Sequence, residues 1–163
     1  MSTPESKFLV LFVCTGNTCR SPLAAAALRS ELGAEVARVE VLSAGTAAWE
    51  GQPATEASVD VAARDGINLG THRSSRVTPA LVRAADLVFV MEPNHLGAVQ
   101  ALGADLRRTH VLSAWPEPGE PRLPIPDPFG ASTEAYEECW HRIRHHVNRI
   151  APHVLEALRS RSL

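Results

Sequence analysis

The sequence predicts an α/β fold with a doubly wound parallel sheet, and three observations lead to that prediction. Short apolar runs alternate along the chain with segments of helical pattern. Residues 8–13 are apolar at every position, as expected of a central parallel strand that helices cover on both faces. The chain has 163 residues, of which 45% are hydrophobic, so it can bury one sizeable core. Folds of this flavodoxin-like kind bind ligands beyond the carboxyl ends of their strands.

The elements follow from local signals. Four strands are predicted, at residues 8–13, 39–42, 86–91 and 110–113. Helices are predicted from Ser21 to Gly33, over residues 55–65, after Thr78-Pro79, over residues 94–102, and along the apolar stripe of residues 136–154. Ser21 suits an N-cap and Pro22 suits a first helical turn. Residues 117–127 are proline-rich and predict an extended loop.

Composition limits the function. We expect one domain, residues 1–163, with residues 1–6 as a flexible N-terminus. The net charge of −2 argues against nucleic-acid binding by bulk charge, and no apolar run is long enough to span a membrane. Three cysteines do not make a disulfide framework in a chain of this size, which favours a reducing, cytoplasmic setting. Composition does not determine the oligomeric state, and we expect a monomer.

The segment after the first predicted strand carries the chemistry. It reads Cys-Thr-Gly-Asn-Thr-Cys-Arg-Ser-Pro over residues 14–22 and leads directly into a helix. A tight loop there points backbone N–H groups inward and binds an anion, aided by the helix dipole. Arg20 can grip two oxygens of an oxyanion, and the same positive field favours the thiolate of Cys14. Ser21 can donate its hydroxyl to that sulfur. The pattern predicts covalent phosphoryl transfer on Cys14.

Other interpretations fit less well. The loop lacks the Gly-Lys-Ser/Thr of a nucleoside-triphosphate loop and the Gly-x-Gly-x-x-Gly of a dinucleotide loop. A buried structural cysteine beside a surface arginine is the plain alternative. His141 and His145 are one helical turn apart but have no third ligand at an obvious spacing, so no metal site and no cofactor is predicted.

Residues 13–22 resemble the signature of the low-molecular-weight protein tyrosine phosphatase family. The likeness continues at residues 43–46, 72–74, 86–91 and 126–128. The resemblance implies that Cys14 is the nucleophile, Arg20 the phosphate-gripping arginine and Asp127 the general acid. It further implies that Asn17 and His72 hold the shape of the loop and that Ser21 eases departure of the thiolate. The implied phosphate-binding residues are Thr15, Gly16, Asn17, Thr18, Cys19 and Arg20.

The substrate is indicated by two departures from the tyrosine-directed pattern. Position 18 is Thr instead of an apolar residue, and the loop is similar to that of the protein arginine phosphatases, a branch of the family that cleaves phosphoarginine. In tyrosine-directed members, Asp-Pro is often followed by two aromatic residues that sandwich the phosphotyrosine ring. Here Phe129 is followed by Gly130, so one of the two aromatic residues is absent. Trp49 matches a position where the family often lines its cleft with an aromatic ring, which suits a phosphotyrosine and a guanidinium alike, although Trp49 is equally compatible with a buried anchor of its loop. Phosphoarginine proteins or peptides are therefore expected as substrates, with phosphotyrosine as the alternative and phosphate as the product.

A second thiol, Cys19, belongs to the same loop. It could capture an oxidised Cys14 as a disulfide, or it could be a small buried filler. A thioredoxin-coupled arsenate reductase would need a resolving cysteine pair, and residues 70–100 contain no cysteine. A phosphoprotein-binding module with a dead site would lack Cys14, Arg20 or Asp127, and all three are present.

Overall fold

The computed structural model describes residues 7–117 and 123–161. In that part of the chain, strands and helices alternate along the sequence. They are β1 (Phe8–Cys14), α1 (Arg20–Leu32), β2 (Val39–Gly45), α2 (Glu56–Ala63), α3 (Pro79–Ala84), β3 (Leu87–Val90), α4 (Asn94–Ala101), β4 (Thr109–Val111) and α5 (Thr133–Arg161). Short 3-10 turns occur at Gly33–Ala37, Leu106–Arg108 and Leu112–Ala114.

The four strands form one parallel sheet in the order β2-β1-β3-β4, which confirms the predicted doubly wound fold. β1 is central, and Cys14 at its end lies in register with Gly45 of β2. The chain passes to one side of β1 to make β2 and to the other side to make β3. A crevice forms at such a switch point, beyond the carboxyl ends of the strands. The loop that follows β1 therefore starts at the expected position of a ligand site.

Side chains of β1 alternate between two apolar layers. Val10 and Phe12 pack with residues of α1, α2 and α5, whereas Leu11 and Val13 pack with residues of α3 and α4. Every residue of β1 is buried. Full burial of one such side chain stabilises the fold by about 1.5–3 kcal/mol. Helices therefore cover both faces of the sheet, as the uninterrupted apolar run predicts.

The predicted start of the first helix is wrong. The helix begins at Arg20, with Cys19 in the capping position and no capping hydrogen bond from a side chain. Ser21 lies inside the helix, and its hydroxyl contacts the sulfur of Cys14. The side chain that looks like a cap is therefore used by the neighbouring loop.

Other boundaries differ by a few residues. The last strand is Thr109–Val111 instead of 110–113, because the chain turns into 3-10 geometry at Leu112–Ala114. Thr55 is the N-cap of α2, and its hydroxyl accepts a hydrogen bond from the N–H of Ser58 at 3.3 Å. Residues 1–6, and residues 118–122 of the proline-rich segment, lie outside the described residues. Within the described part, no helix has both the length and the apolar character that a bilayer span requires.

Candidate active site

The loop from Cys14 to Arg20 turns tightly because two positions allow it. Asn17 adopts the left-handed backbone conformation, with φ of 56°, which asparagine tolerates better than most residues. Gly45 lies against the loop, and a Cβ atom there would be 2.4 Å from the carbonyl oxygen of Thr15. The end of β2 therefore approaches the loop more closely than any side chain would permit.

Hydrogen bonds hold Asn17 on three sides. Its side-chain N–H donates to the hydroxyl of Ser21 at 2.7 Å, and its side-chain oxygen accepts from the N–H of Ser75 at 2.9 Å. Its carbonyl oxygen accepts from Nε2 of His72 at 2.7 Å. Because a carbonyl can only accept, Nε2 of His72 carries the proton. Burial lowers the pKa of His72, which favours this neutral form.

Cys14 is buried, with its sulfur 2.9 Å from the hydroxyl of Ser21. Burial is the largest influence on the thiol and raises its pKa above the ordinary value. The hydrogen bonds from Ser21, the charge of Arg20 and the N–H of Asn17 act in the opposite direction. Only these three influences lower the pKa and so favour the predicted thiolate at neutral pH. Burial of the sulfur disfavours the thiolate.

Arg20 lies at the floor of the site and is 2% exposed. Its Nη1 donates to a carboxylate oxygen of Glu92 and, at 2.9 Å, to the carbonyl oxygen of Ile125. Nη2 lies 3.7 Å from a carboxylate oxygen of Asp127. The Nε–H of Arg20 is buried and has no partner among the described residues. A donor in this position can serve an oxyanion held by the loop, while Glu92 fixes the other side of the guanidinium.

A cavity of about 630 Å³ opens above the loop. It brings together side chains that are far apart in sequence, since Thr18, Trp49, Asp127 and Phe129 all line it along with Cys14–Arg20. Trp49 is 82% exposed and Phe129 is 68% exposed, so both rings stand at the rim. The alternative interpretation of Trp49, a buried anchor of its loop, is therefore wrong.

Asp127 is half-exposed at the cavity, and the loop around it is held locally. Its Oδ1 accepts a hydrogen bond from the N–H of Phe129 at 3.0 Å. Its Oδ2 is the oxygen that faces Arg20. Ile125, just before it, is fully buried and donates its N–H to the carbonyl of Met91 at 3.2 Å. The carboxylate is thus carried to the mouth of the site on a short segment that is anchored to the end of β3.

Cys19 is buried behind the loop. Its sulfur lies 3.6 Å from the hydroxyl of Thr55 and 3.5 Å from the hydroxyl of Tyr136. Thr55 also donates its N–H to the carbonyl of Thr18 at 3.0 Å, which ties the start of α2 to the loop. Burial raises the pKa of Tyr136 to about 12, so its hydroxyl stays protonated.

Three residues of this site are not predicted from the sequence: Glu92, His95 and Glu56. Glu92 and His95 follow β3, and the carboxyl end of β3 lies beside that of β1. Two polar residues directly after a buried strand are the signal that could have indicated them. Glu56 lines the cavity from the first turn of α2, where it looks like an ordinary acidic helix start. Among residues 7–117 and 123–161, no group of three or more His, Cys, Asp or Glu side chains is arranged to hold a metal ion.

Known proteins resemble this chain in sequence and in structure over most of its length. The low-molecular-weight protein-tyrosine-phosphatase Etp of Escherichia coli (strain K12) is 36% identical over 132 residues, which are 80% of this chain and 84% of Etp. The structure of the YwlE arginine phosphatase from Geobacillus stearothermophilus superposes with a TM-score of 0.81 at 33% identity, covering 91% of this chain and 94% of YwlE. The tyrosine phosphatase Wzb from Escherichia coli K30, in complex with sulphate, has a TM-score of 0.80 at 31% identity, covering 91% of this chain and 99% of Wzb.

The family described as low molecular weight phosphotyrosine protein phosphatase matches residues 9–161, which include the loop, both rim aromatics and the carboxylate at the mouth of the cavity. The family match extends from β1 to α5. The chain therefore belongs to the low-molecular-weight protein tyrosine phosphatase family, whose members are cysteine-based protein phosphatases.

Proposed function

We propose that this protein hydrolyses phosphorylated protein side chains through a phosphocysteine intermediate and that it prefers phosphoarginine. The sulfur of Cys14 attacks phosphorus, and Asp127 gives a proton to the departing nitrogen. The phosphocysteine is then hydrolysed by a water whose proton returns to Asp127, which releases phosphate. Arg20 and the N–H groups of the loop bind the phosphoryl oxygens throughout. No bound cofactor is needed for these steps.

Thr18 carries the substrate preference. It lies in the wall of the cavity, partly buried, with its hydroxyl 3.9 Å from the sulfur of Cys19. A hydroxyl beside the scissile bond can orient the attacking water or the P–N nitrogen, and it offers less apolar contact to an aryl ring than Ile would. The similarity to the YwlE arginine phosphatases supports the same preference.

The rim of the cavity also favours a cationic leaving group. Two carboxylates, those of Glu56 and Asp127, line it. Among the described lining residues, Arg20 is the one cation, and it is buried on the floor. The exposed rings of Trp49 and Phe129 can hold a guanidinium against their faces. A charged guanidinium therefore finds more partners at this rim than a neutral phenol does.

Phosphotyrosine is the second candidate. The curated relative Etp is named a tyrosine phosphatase, as is EpsP of Ralstonia nicotianae. The exposed ring of Trp49 would also stack on an aryl group. An arsenate reductase that uses a cysteine relay is disfavoured, because residues 70–100 contain no cysteine.

The test compares kcat/KM for matched phosphoarginine and phosphotyrosine peptides. The parent protein should prefer phosphoarginine, and Thr18→Ile should shift the ratio toward phosphotyrosine by roughly 10- to 200-fold. Glu56→Gln should lower the rate on phosphoarginine more than on phosphotyrosine, whereas Asp60→Asn, which removes an exposed charge of α2 outside the cavity lining, should change neither. A parent that prefers phosphotyrosine would overturn the assignment. An unchanged ratio in Thr18→Ile would remove the role of Thr18 only.

The proposal also covers the cellular location and the oligomeric state of the enzyme. We place it in the cytoplasm because its three cysteines, all free and buried in the structure, suit a reducing compartment. We expect the chain to act as one domain and as a monomer on phosphorylated proteins or peptides. Size-exclusion chromatography with light scattering tests the monomer directly.

A further inference from the structure

His95 is buried beside the phosphate-binding loop and has no place in the steps proposed above. It lies in the first turn of α4, directly after β3, and is 1% exposed. Both ring nitrogens have partners. Nε2 lies 3.0 Å from the hydroxyl of Thr15, and Nδ1 lies 3.2 Å from the backbone nitrogen of Glu92.

The partners determine which nitrogen carries the proton. The N–H of Glu92 can only donate, so Nδ1 of His95 accepts and bears no proton. In the neutral ring the proton is then on Nε2, which donates to the hydroxyl oxygen of Thr15. Burial lowers the pKa of His95, which favours this neutral tautomer.

These contacts join the two ends of the loop. Thr15 is the first residue after Cys14, at the start of the loop. Glu92 binds the guanidinium of Arg20, at the end of the loop. His95 contacts Thr15 with one side of its ring and the backbone of Glu92 with the other. The start of the loop and the partner of Arg20 are therefore held at a fixed separation by one imidazole.

We infer that His95 is a positioning residue for oxyanion binding, because it sets the N–H groups at the start of the loop and the guanidinium of Arg20 in one geometry. The inference depends on the phosphatase chemistry of the site but not on the choice between phosphoarginine and phosphotyrosine. Misplacing a binding group by about 1 Å can lower a rate roughly 100-fold, so a link of this kind matters even though it touches no substrate.

Protonation of His95 would break the link. A second proton on Nδ1 would face the N–H of Glu92, and two donors cannot bond. The charged groups that act on the ring are Arg20 of α1, which lowers its pKa, and the carboxylates of Glu92, in the loop after β3, and Asp127, in the loop before α5, which raise it. Burial and Arg20 are the largest influences, so the ring stays neutral at and above neutral pH.

Two substitutions separate the two halves of the link. In His95→Asn the amide oxygen can still accept from Glu92, but the side chain is too short to reach Thr15. In His95→Gln the amide N–H can still reach Thr15, but no acceptor remains at the Nδ1 position. Thr15→Val removes the hydroxyl that Nε2 of His95 contacts. Because Thr15 is exposed, this variant should fold normally.

The experiment measures hydrolysis of p-nitrophenyl phosphate and competitive inhibition by inorganic phosphate. We expect His95→Asn and Thr15→Val each to weaken phosphate inhibition roughly 10-fold and to lower kcat/KM by a similar factor. Adding Thr15→Val to His95→Asn should cause no further loss, because the link is already absent. Adding it to His95→Gln should still weaken inhibition, because the amide link to Thr15 is then lost.

His110→Gln is the control, since His110 is a partly buried histidine whose pKa burial also lowers, and it packs on Trp115 away from the loop contacts of His95. It should leave phosphate inhibition unchanged. If the losses of phosphate inhibition in Thr15→Val and His95→Asn multiply in the double variant, the two residues act separately. That result would overturn the inference. So would Thr15→Val binding phosphate as tightly as the parent.

Discussion

The hydroxyl of Ser21 lies between the sulfur of Cys14, at 2.9 Å, and the side-chain N–H of Asn17, at 2.7 Å. The amide N–H can only donate, so the oxygen of Ser21 accepts from Asn17 and its own proton is directed away. The carbonyl of Ala44 is a more distant acceptor, at 3.4 Å. The proton of Ser21 is thus directed at the sulfur. This hydrogen bond lowers the pKa of Cys14, whereas burial raises it.

Ser21→Ala should raise the pKa of Cys14 further, because the largest of the influences that lower it is removed. A hydrogen bond to a charged group is worth about 1.5–3 kcal/mol, which is large enough to move a titration measurably. The acid limb of the kcat/KM profile should therefore move to higher pH. Ser132→Ala, which removes a hydroxyl at the start of α5, should leave the profile in place. An unshifted limb in Ser21→Ala would mean that the contact does not act on the thiolate.

Gly45→Ala should displace the phosphate-binding loop. The added methyl would lie 2.4 Å from the carbonyl oxygen of Thr15 and 3.0 Å from the N–H nitrogen of Asn17, and neither is the flexible end of a side chain. We expect kcat/KM to fall by at least roughly 100-fold and the melting temperature to fall as well. Gly97→Ala, in α4 with open space around the site, should instead stabilise the protein by about 0.5–1 kcal/mol. Parent-like activity in Gly45→Ala would contradict the close approach.

Asp127→Asn should affect substrates according to their leaving groups. If Asp127 donates the proton, the rate on a phosphopeptide should fall by roughly two to four decades, and the rate on an activated aryl phosphate should fall much less. Cys14→Ser should abolish turnover on both substrates while phosphate binding survives. Equal losses in Asp127→Asn on both substrates would assign Asp127 a structural role.

Oxidation should test the pair of loop thiols. Hydrogen peroxide converts the thiolate of Cys14 to a sulfenic acid, and Cys19 would then displace water to form a disulfide. Mild peroxide should therefore inactivate the protein with a loss of two hydrogens in intact mass, and dithiothreitol should restore it. In Cys19→Ser inactivation should become irreversible with time. Cys139→Ser, at a buried position of α5, should behave like the parent. Recovery of Cys19→Ser equal to the parent would exclude a protective role.

The fold was predictable because its signals are local. An uninterrupted apolar run of six residues identifies a buried central strand, and Ser, Thr, Pro and Gly mark where helices begin and end. Ser21 shows where such signals fail. A side chain that suits a helix cap suits a hydrogen bond to a sulfur equally well, and only the folded loop decides between them.

The site was predictable in its loop and less so around it. Cys14, Arg20 and the residues between them are contiguous, so one motif contains them. Glu92 and His95 act on that loop from the end of the neighbouring strand, so their place after β3 could have marked them as candidates, but their distance from the loop in sequence does not show which groups they contact. The burial that raises the pKa of Cys14 also depends on packing from several elements, which no local pattern reports.

The segment of residues 46–54, which carries Trp49, is attached to the rest of the protein at both ends. Its first two N–H groups donate to the carbonyls of Cys14 and Thr15, and Thr55 just after it donates to Thr18. In the middle of the segment, the N–H of Gly51 donates to the carbonyl of Ser74, and the N–H of Ser74 donates to the carbonyl of Gln52. These anchors are backbone groups, and the segment adds two requirements of its own: Gly51 adopts a left-handed conformation, with φ of 78°, and the carboxylate of Glu50 accepts a hydrogen bond from the N–H of Arg76. Replacing the other residues of the segment at equal length would therefore change what the rim recognises while the phosphate-binding loop keeps its shape, which makes this stretch a module for redesigning specificity.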